Sequence, residues 1–307
     1  MSPAEALPSR PRRRVQLDRL TYEVTDTREG GMGRVWLLRR PDGSTYDTIY
    51  GPTRVVKTFN ADEDEQEVII EQELGNWISL NSPHIVPLIK IARLNFELGA
   101  MMELMPGSLA DYLRSRSALE TSAVKTVLLD VLRGLDEAHQ QRNLAHLDLK
   151  PENLLLTSIQ SPNVKISDWG ISRMMSQRQQ HADWLRNPKA WFERQTADKT
   201  QFGGGTYPYM APERFSGSWT IGPAADVFSL GIIGVRLMTG QIPTVDDSRD
   251  LFSSIALIMS HEYLKRAKTL LAAQGGPLAD FILRMIDPNP TGRPQDYPVL
   301  IAALEGI

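Results

Sequence analysis

The feature that most constrains the fold is a change in the spacing of apolar residues near Gly107. Before it, short runs such as Leu20, Tyr22 and Val24 alternate with polar residues, which is typical of half-buried strands. After it, residues 124–135 carry apolar side chains three and four positions apart, which predicts a long helix with one buried face. A strand-rich first third followed by a helix-rich remainder predicts an α+β fold in two lobes.

Other segments follow the same division. Short strands are predicted at 35–38, 55–59, 85–91, 98–104, 154–156 and 164–166, and helices at 61–80, 223–239, 249–258, 261–273, 277–286 and 296–304. Residues 1–18 contain three Pro and four Arg with little periodicity, which predicts an exposed, disordered leader. A basic docking arm is the alternative interpretation of this leader.

Composition limits the classes of function. The chain of 307 residues is long enough for two lobes, and its net charge of −3 gives no electrostatic reason to expect nucleic-acid binding. The absence of Cys excludes disulfides and thiolate metal sites. No apolar run approaches the roughly 18 residues of a membrane span, so we expect a cytoplasmic protein without a membrane segment.

Two polar motifs flank the short strands in the middle of the chain. HLDLKPEN occupies residues 146–153, and DWG begins at Asp168, fifteen residues after Asn153. Together they resemble the catalytic loop and the metal-binding D-F-G motif of protein kinases, with Trp in place of Phe. The resemblance implies that Asp148 accepts the substrate hydroxyl and that Lys150 neutralises the transferring phosphate. It also implies that Asn153 and Asp168 bind Mg²⁺ or Mn²⁺.

The sequence REGGMGRV, which ends at Val35, contains a cluster of glycines suited to binding phosphate. Glycines let backbone N–H groups approach phosphate oxygens that a Cβ would obstruct. The stretch resembles the glycine-rich ATP loop of protein kinases, with Gly30 and Gly33 at its second and third glycine positions and Gly31 between them. Arg28 replaces the first glycine.

A lysine on a predicted strand and a glutamate on the following helix resemble another kinase pair. Lys57 in RVVKTF corresponds to the lysine that binds the ATP phosphates. Glu73 stands nine residues before Ser82, the spacing expected of the glutamate that holds this lysine. Glu71 is the competing choice, and helical geometry places it on a different face.

The sequence MMELMPG resembles the hinge between the two kinase lobes. The resemblance implies that Met102 lies behind the adenine of ATP as the gatekeeper residue. The carbonyl of Glu103 and the N–H of Met105 would then hydrogen-bond the base. Core packing alone also explains the methionines.

GTYPYMAPERF, from Gly205, resembles the end of a kinase activation segment. Thr206 corresponds to the threonine that contacts the catalytic residues, and Glu213 of A-P-E should pair with Arg293. Asp226 corresponds to the helix aspartate that anchors the catalytic-loop backbone. Small-molecule kinases of the aminoglycoside type share the catalytic Asp and Asn but usually lack this segment.

Residues 19–305 carry these motifs in family order, and the chain is identified as a eukaryotic-like serine/threonine protein kinase, similar to the bacterial type. The resemblance implies a bilobal kinase fold, with a small strand-rich N-lobe containing one main helix at 19–104 and a larger helical C-lobe at 105–307. It also implies an activation segment at 168–213, ATP as the phosphoryl donor and protein substrates.

Leu147 is a departure from the family, which has Arg at this position. In the family this Arg does no chemistry and pairs with a phosphorylated residue of the activation segment. Leu cannot form that pair, so we expect activity without obligatory phosphorylation, with Thr200 as a candidate autophosphorylation site. His146 is expected to brace the loop backbone. A pseudokinase acting as a scaffold or regulatory module is the alternative, favoured by Arg28 and Leu147.

The middle of the activation segment, residues 174–199, groups large apolar side chains among polar residues. They are Trp184, Leu185, Trp191 and Phe192. One interpretation is a helix packed on its own lobe. The other is a docking or autoinhibitory element, because grouped aromatic residues often mark interfaces.

Overall fold

The computed structural model describes residues 13–17, 20–30, 33–41, 53–59, 64–169, 207–215, 222–245 and 251–307. Several predicted features lie outside the described residues: the leader up to residue 12, Gly31, the segment 174–199, Thr200 and Thr206. The chain divides into two compact units, one of residues 1–72 with 88–104 and one of residues 73–87 with 105–307.

The first unit is built on a closed antiparallel sheet. Its strands are β1 (Arg14–Leu17), β2 (Leu20–Gly30), β3 (Gly33–Arg39), β4 (Thr53–Phe59), β5 (Leu88–Leu94) and β6 (Glu97–Glu103). They lie in the order β1-β2-β3-β4-β6-β5, and Leu17 pairs with Leu94 to join the two ends. The strands surround a buried core that includes Leu17, Tyr22, Trp36, Leu38 and Val56. The alternating pattern thus buries one face of each strand.

Strand β1 corrects one sequence prediction. A disordered leader through residue 18 is wrong for Arg14–Leu17, which pairs with β2 along its whole length. Val15 and Leu17 are 4% and 2% exposed, whereas the residues between them face outward. Burial of two alternating apolar side chains favours a strand here, despite the Pro- and Arg-rich residues that precede it.

One long helix, α1 (Asp64–Ile78), belongs to the first unit up to Gln72 and to the second unit from Glu73. In the second unit the remaining described helices are α2 (Leu109–Leu113), α3 (Thr121–Arg142), α4 (Pro223–Thr239), α5 (Leu251–Met259), α6 (Glu262–Ala272), α7 (Gly276–Met285) and α8 (Tyr297–Glu305). A two-stranded hairpin, β7 (Leu154–Ser158) and β8 (Ser161–Ile166), accompanies them. The α+β fold class with a strand-rich first part and a helical remainder is confirmed.

Helices α3 and α4 form the core of the second unit. The predicted stripe of α3 is fully buried, from Val124 to Leu135. Helix α4 is buried on nearly all sides, and Gly231 and Gly234 allow it to pack closely on α7. A Cβ at Gly231 would lie 2.5 Å from the Ile286 side chain. Asp226 lies in the first turn of this buried helix.

The β7–β8 hairpin carries both predicted catalytic motifs. Asn153 immediately precedes β7, and Ser167 immediately follows β8. The Ser167 N–H donates to the Asn153 carbonyl over 2.9 Å, so the two ends of the hairpin are joined. Ile166 also exchanges backbone hydrogen bonds with the segment at His84 to Val86. Within the described ranges, no helix combines the length and apolar character needed to cross a membrane.

Candidate active site

The backbone of the predicted catalytic loop is held by one buried carboxylate. Asp226 is completely buried, and its two oxygens accept from the N–H groups of His146 and Leu147, each over 2.7 Å. Burial raises the pKa of Asp226, and the two backbone N–H donors offset part of that rise. The anchoring role predicted for Asp226 is confirmed by these two hydrogen bonds.

Leu147 adopts a backbone conformation that a leucine rarely takes. Its φ is 64°, in the left-handed region, which costs roughly 1–2 kcal/mol for a residue with a Cβ. Hydrogen bonds hold both of its backbone polar groups, because its N–H donates to Asp226 and its carbonyl accepts from Arg214. The side chain is 5% exposed, so Leu147 packs in the interior. The surrounding network therefore imposes the conformation of this residue.

His146 braces the loop from inside, as expected from the sequence. The side chain is fully buried, and its Nε2 lies 2.8 Å from the Ser167 carbonyl. Nδ1 accepts from the Asp148 N–H over 3.2 Å, which makes Nε2 the protonated nitrogen. The ring also contacts Trp169 edge-on, with centroids 5.0 Å apart. His146 thus links the loop to the DWG motif and has no nitrogen left for proton transfer.

Three of the predicted site residues meet at the carboxylate of Asp148. Lys150 Nζ lies 2.9 Å from Asp148 Oδ2, and Asn153 Nδ2 donates to the same oxygen over 3.0 Å. Asn153 Nδ2 also donates to the Asp148 carbonyl over 2.9 Å. The other carboxylate oxygen, Oδ1, is buried and has no hydrogen-bond partner among the described residues. A buried acceptor without a partner is costly in an inert core and suits a site that receives a donor.

The residues predicted to hold a metal are joined through Ser167. Its N–H and Oγ both donate to the Asn153 carbonyl, over 2.9 and 3.0 Å, and Asp168 follows directly with a φ of 63°. Asn153 uses its amide nitrogen for Asp148, so its amide oxygen is the atom able to bind a cation. One amide oxygen and the Asp168 carboxylate fit Mg²⁺, which prefers few protein ligands together with phosphate oxygens. No group of three or more His, Asp or Glu side chains able to hold a metal occurs in the described part of the chain.

In the first unit, strands β2 to β4 bring together the residues predicted to bind ATP phosphates. Gly30 pairs with Gly33 at the end of the β2–β3 hairpin, and Val35 pairs with Lys57 on β4. Gly33 has a φ of 146°, and a Cβ there would lie 1.9 Å from the Thr58 carbonyl oxygen. Only glycine fits this close approach of two strands.

Arg28, which replaces the first glycine of the loop, pairs with Val35 across the β2–β3 hairpin. Its side chain is mostly exposed and lies 3.5 Å from the carboxylate of Asp26. The substitution therefore leaves the strand pairing intact.

The remaining predicted residues lie on β6 and α1. Met102 on β6 is 4% exposed and pairs with Val55, while Glu103 ends the strand and Met105 follows it. On α1, Glu73 is partly buried whereas Glu71 is exposed, which favours Glu73 as the residue with a structural partner. The division of the chain puts Lys57 in the first unit and Glu73 in the second.

A predicted ion pair stabilises the second unit. Arg293 donates through both terminal nitrogens to the Glu213 carboxylate, over 2.7 and 2.9 Å, and its side chain is completely buried. Arg293 also donates to the carbonyls of Ala224 and Asp287. This confirms the pair expected between Glu213 of A-P-E and Arg293.

Arg214 is the site residue that sequence reasoning missed. It directly follows Glu213, and its guanidinium donates to the Leu147 carbonyl. Its position immediately after the A-P-E motif was the only available signal. Arg214 and Leu147 are 67 positions apart, and such a separation does not predict a contact. A cation from elsewhere in the chain thus reaches the loop position that lacks an arginine.

The sequence of this chain is similar to those of known protein kinases. Mitogen-activated protein kinase kinase 2 of Arabidopsis thaliana is 30% identical over 238 residues, covering 76% of this chain and 60% of that protein. The carbon catabolite-derepressing protein kinase of Saccharomyces cerevisiae is 28% identical over 277 residues, covering 89% of this chain and 38% of that protein. The matched part of this chain therefore spans 60% and 38% of the length of these two curated relatives.

The fold is similar to that of a solved structure as well. The crystal structure of the Mycobacterium tuberculosis PknI kinase domain matches with a TM-score of 0.59 and 19% identity, covering 93% of this chain and 95% of that one. The family model described as the protein kinase domain matches residues 30–301. Since that match covers most of the sequence, the chain belongs to the protein kinase domain family.

Proposed function

We propose that the chain is a serine/threonine protein kinase, which transfers the γ-phosphoryl group of ATP to hydroxyl groups of proteins, its own included. The observation that carries the proposal is the state of the Asp148 carboxylate. Oδ2 is bound by Lys150 and Asn153, whereas the buried Oδ1 has no partner among the described residues. An acceptor held in this way can orient an attacking hydroxyl.

The residues of the second unit supply positioning and charge. Asp148 accepts the hydrogen bond of a Ser or Thr hydroxyl and takes its proton as the hydroxyl oxygen attacks the γ-phosphorus and the bond to the ADP oxygen breaks. Lys150, beside Asp148, places a positive charge where the phosphoryl group transfers. Asn153 and Asp168 would hold Mg²⁺ or Mn²⁺, which neutralises charge on the phosphate oxygens when bound.

The residues of the first unit and the hinge bind the nucleotide in this proposal. The backbone at Gly30, Gly31 and Gly33 cradles the phosphates, Val35 packs on the adenine, and Lys57 binds phosphate oxygens. The family resemblance assigns Glu73 the role of holding this lysine. Met102 lies behind the adenine, and the backbone of Glu103 and Met105 hydrogen-bonds it, so the ligand contacts there depend little on side-chain identity.

Two departures from the family favour a second candidate, a pseudokinase that serves as a scaffold or regulatory module. They are Arg28 in the glycine loop and Leu147 in the catalytic loop. Neither removes a group that the transfer requires, because Asp148, Lys150 and Asn153 remain in contact. The intact set of polar residues therefore supports the active enzyme.

The experiment that separates the two candidates is phosphate incorporation from labelled ATP with Mg²⁺, into the chain and into a generic basic protein. Mass spectrometry locates the modified residues, and Asp168→Ala serves as the control. Loss of this metal ligand should lower the rate at least about 100-fold, or about 2.7 kcal/mol of barrier. Transfer to Ser or Thr that disappears in the control supports the kinase. Nucleotide binding without transfer would favour the pseudokinase.

A further inference from the structure

Three buried carboxylates surround the catalytic loop, and each needs a cation or hydrogen-bond donors. Asp148, Asp226 and Glu213 are 6%, 0% and 9% exposed. Glu213 is paired with Arg293, and Asp148 with Lys150. Asp226 instead binds two backbone N–H groups, which carry only partial charge. Ionised carboxylates in an interior are stable only when charge or good hydrogen bonds compensate them.

Arg214 brings a further cation into this region. It ends the short turn Pro212–Arg214, and its guanidinium donates to the carbonyl of Leu147. Burial lowers the pKa of Arg214, while the charges of Asp148, Asp226 and Glu213 raise it. The charge of the same arginine offsets a small part of the rise that burial causes in the pKa of Asp226. The charges of these carboxylates thus favour the charged form of Arg214, and its hydrogen bond is directed at the loop.

The bonded carbonyl belongs to the peptide group that joins Leu147 to Asp148. The N–H of the same peptide group donates to His146 Nδ1 over 3.2 Å. Arg214 and His146 thus hold the two polar atoms of one peptide plane, and the orientation of that plane fixes where the Asp148 side chain begins. Because Leu147 has an unfavourable positive φ, this plane would turn more readily if either contact were lost.

We propose that Arg214 is a positioning residue that holds the catalytic loop in its working geometry with a side-chain cation, without any phosphate on the chain. The proposal rests on the proposed function, because the geometry in question is that of Asp148. The leucine at position 147 supplies no cation. Arg214, which directly follows the A-P-E motif, supplies one instead. A side chain provides this charge permanently, so no modification is needed to create it.

The test compares four forms of the whole chain after treatment with a phosphatase that is then removed: wild type, Arg214→Ala, Arg214→Lys and Arg284→Ala. Arg284 is an exposed arginine on α7 and provides the matched control. Amide hydrogen exchange of residues 146–149 is measured first, because it reports loop position without requiring activity. Initial rates of phosphate transfer at varied ATP then give kcat and KM.

We expect exchange at residues 146–149 to become about tenfold faster in Arg214→Ala, as for the loss of one charge-assisted hydrogen bond. The value of kcat should fall by a similar factor, with KM for ATP within about twofold of wild type, since Arg214 binds no part of the nucleotide in this proposal. Arg214→Lys should recover part of both effects, because lysine retains the charge but not the planar donor fork. Arg284→Ala should behave as wild type.

Several results would overturn the inference. One is unchanged exchange and kcat in Arg214→Ala, and another is loss of wild-type activity after phosphatase treatment that rephosphorylation restores. A third is equal unfolding of the Ala and Lys variants, which would show a merely structural role. If wild type transfers no phosphate in any state, the proposed function fails, and hydrogen exchange still decides whether Arg214 holds the loop.

Discussion

The predicted catalytic loop and the glycine-rich hairpin are held in opposite ways. In the loop, His146, Asp148 and Asn153 are nearly inaccessible, and side chains distant in sequence bind their polar groups. In the hairpin, Glu29 and Arg34 form an ion pair across the β2–β3 strands, with 70% and 35% of their side chains exposed. Both stretches are short and rich in polar groups, but only the first excludes water from its contacts.

This difference in burial changes how much free energy each polar contact contributes to stability. Removing one partner from a buried polar network leaves another group without compensation, which typically costs several kcal/mol. Removing one partner of an exposed ion pair lets water take its place, and such pairs contribute about 0–1 kcal/mol. We therefore expect substitutions to have large effects around the loop and small ones on the hairpin, except where a glycine contacts backbone directly.

The largest effect is expected for Asp148→Asn. The amide keeps the size of the side chain but presents a donor to Lys150 and removes the carboxylate that orients the hydroxyl. The rate of phosphate transfer should fall about 10²- to 10⁴-fold, with nucleotide affinity little changed, as measured by labelled ATP and calorimetry. The exposed Asp280→Asn on α7 is the control. Activity within tenfold of wild type would argue against the role of Asp148.

The next effect concerns stability. Glu213→Gln leaves the buried guanidinium of Arg293 uncompensated and should lower the free energy of unfolding by about 3–5 kcal/mol in urea denaturation. Glu305→Gln makes the same change in an exposed pair with Arg133, where we expect less than about 1 kcal/mol. Equal losses in the two variants would contradict the distinction between buried and exposed pairs.

Gly33→Ala tests the exception in the hairpin. A Cβ 1.9 Å from the Thr58 carbonyl oxygen forces β3 and β4 apart, which should cost about 1–3 kcal/mol of stability and weaken nucleotide binding. Gly75→Ala on α1 meets nothing within 4 Å and should stabilise the chain by about 0.4–1 kcal/mol. Thermal unfolding with and without ATP measures both. If the two variants shift stability in the same direction, the close backbone contact at Gly33 does not decide the effect of an added Cβ.

The smallest effect is expected for Glu29→Gln in the exposed hairpin pair. The free energy of unfolding should change by less than about 1 kcal/mol, and KM for ATP should stay within about twofold, because Arg34 remains hydrated. The same urea and steady-state measurements apply. A loss of more than about 2 kcal/mol in the free energy of unfolding would contradict the comparison, because the exposed hairpin pair would then contribute as much as the buried contacts of the loop.

The sequence predicted the elements and motifs that depend on local spacing. The α3 stripe and the grouping of Asp148, Lys150 and Asn153 within six residues were visible because periodicity and short-range order are properties of a segment. Strand β1 was missed because its identity comes from pairing with β2 and, through Leu17, with β5. Four residues carry too little pattern to indicate a strand alone.

The geometry of Leu147 could not be predicted for a related reason. Leucine has no intrinsic preference for a positive φ, so only contacts with Asp226 and Arg214, 79 and 67 positions away, explain it. Tertiary contacts override local preference there. Such contacts arise from how α4 and the A-P-E turn pack, which a linear pattern does not encode.

Within the described part of the chain, the side chain of Asp226 accepts hydrogen bonds from main-chain amides, those of His146 and Leu147. Every residue except proline offers the same amide, so this anchor is indifferent to the side chain at position 147. The residue at position 147 could therefore change during evolution without loss of the two hydrogen bonds that hold the loop backbone. In the proposed enzyme, a change at position 147 could thus alter regulation while leaving the role proposed for Asp148 intact.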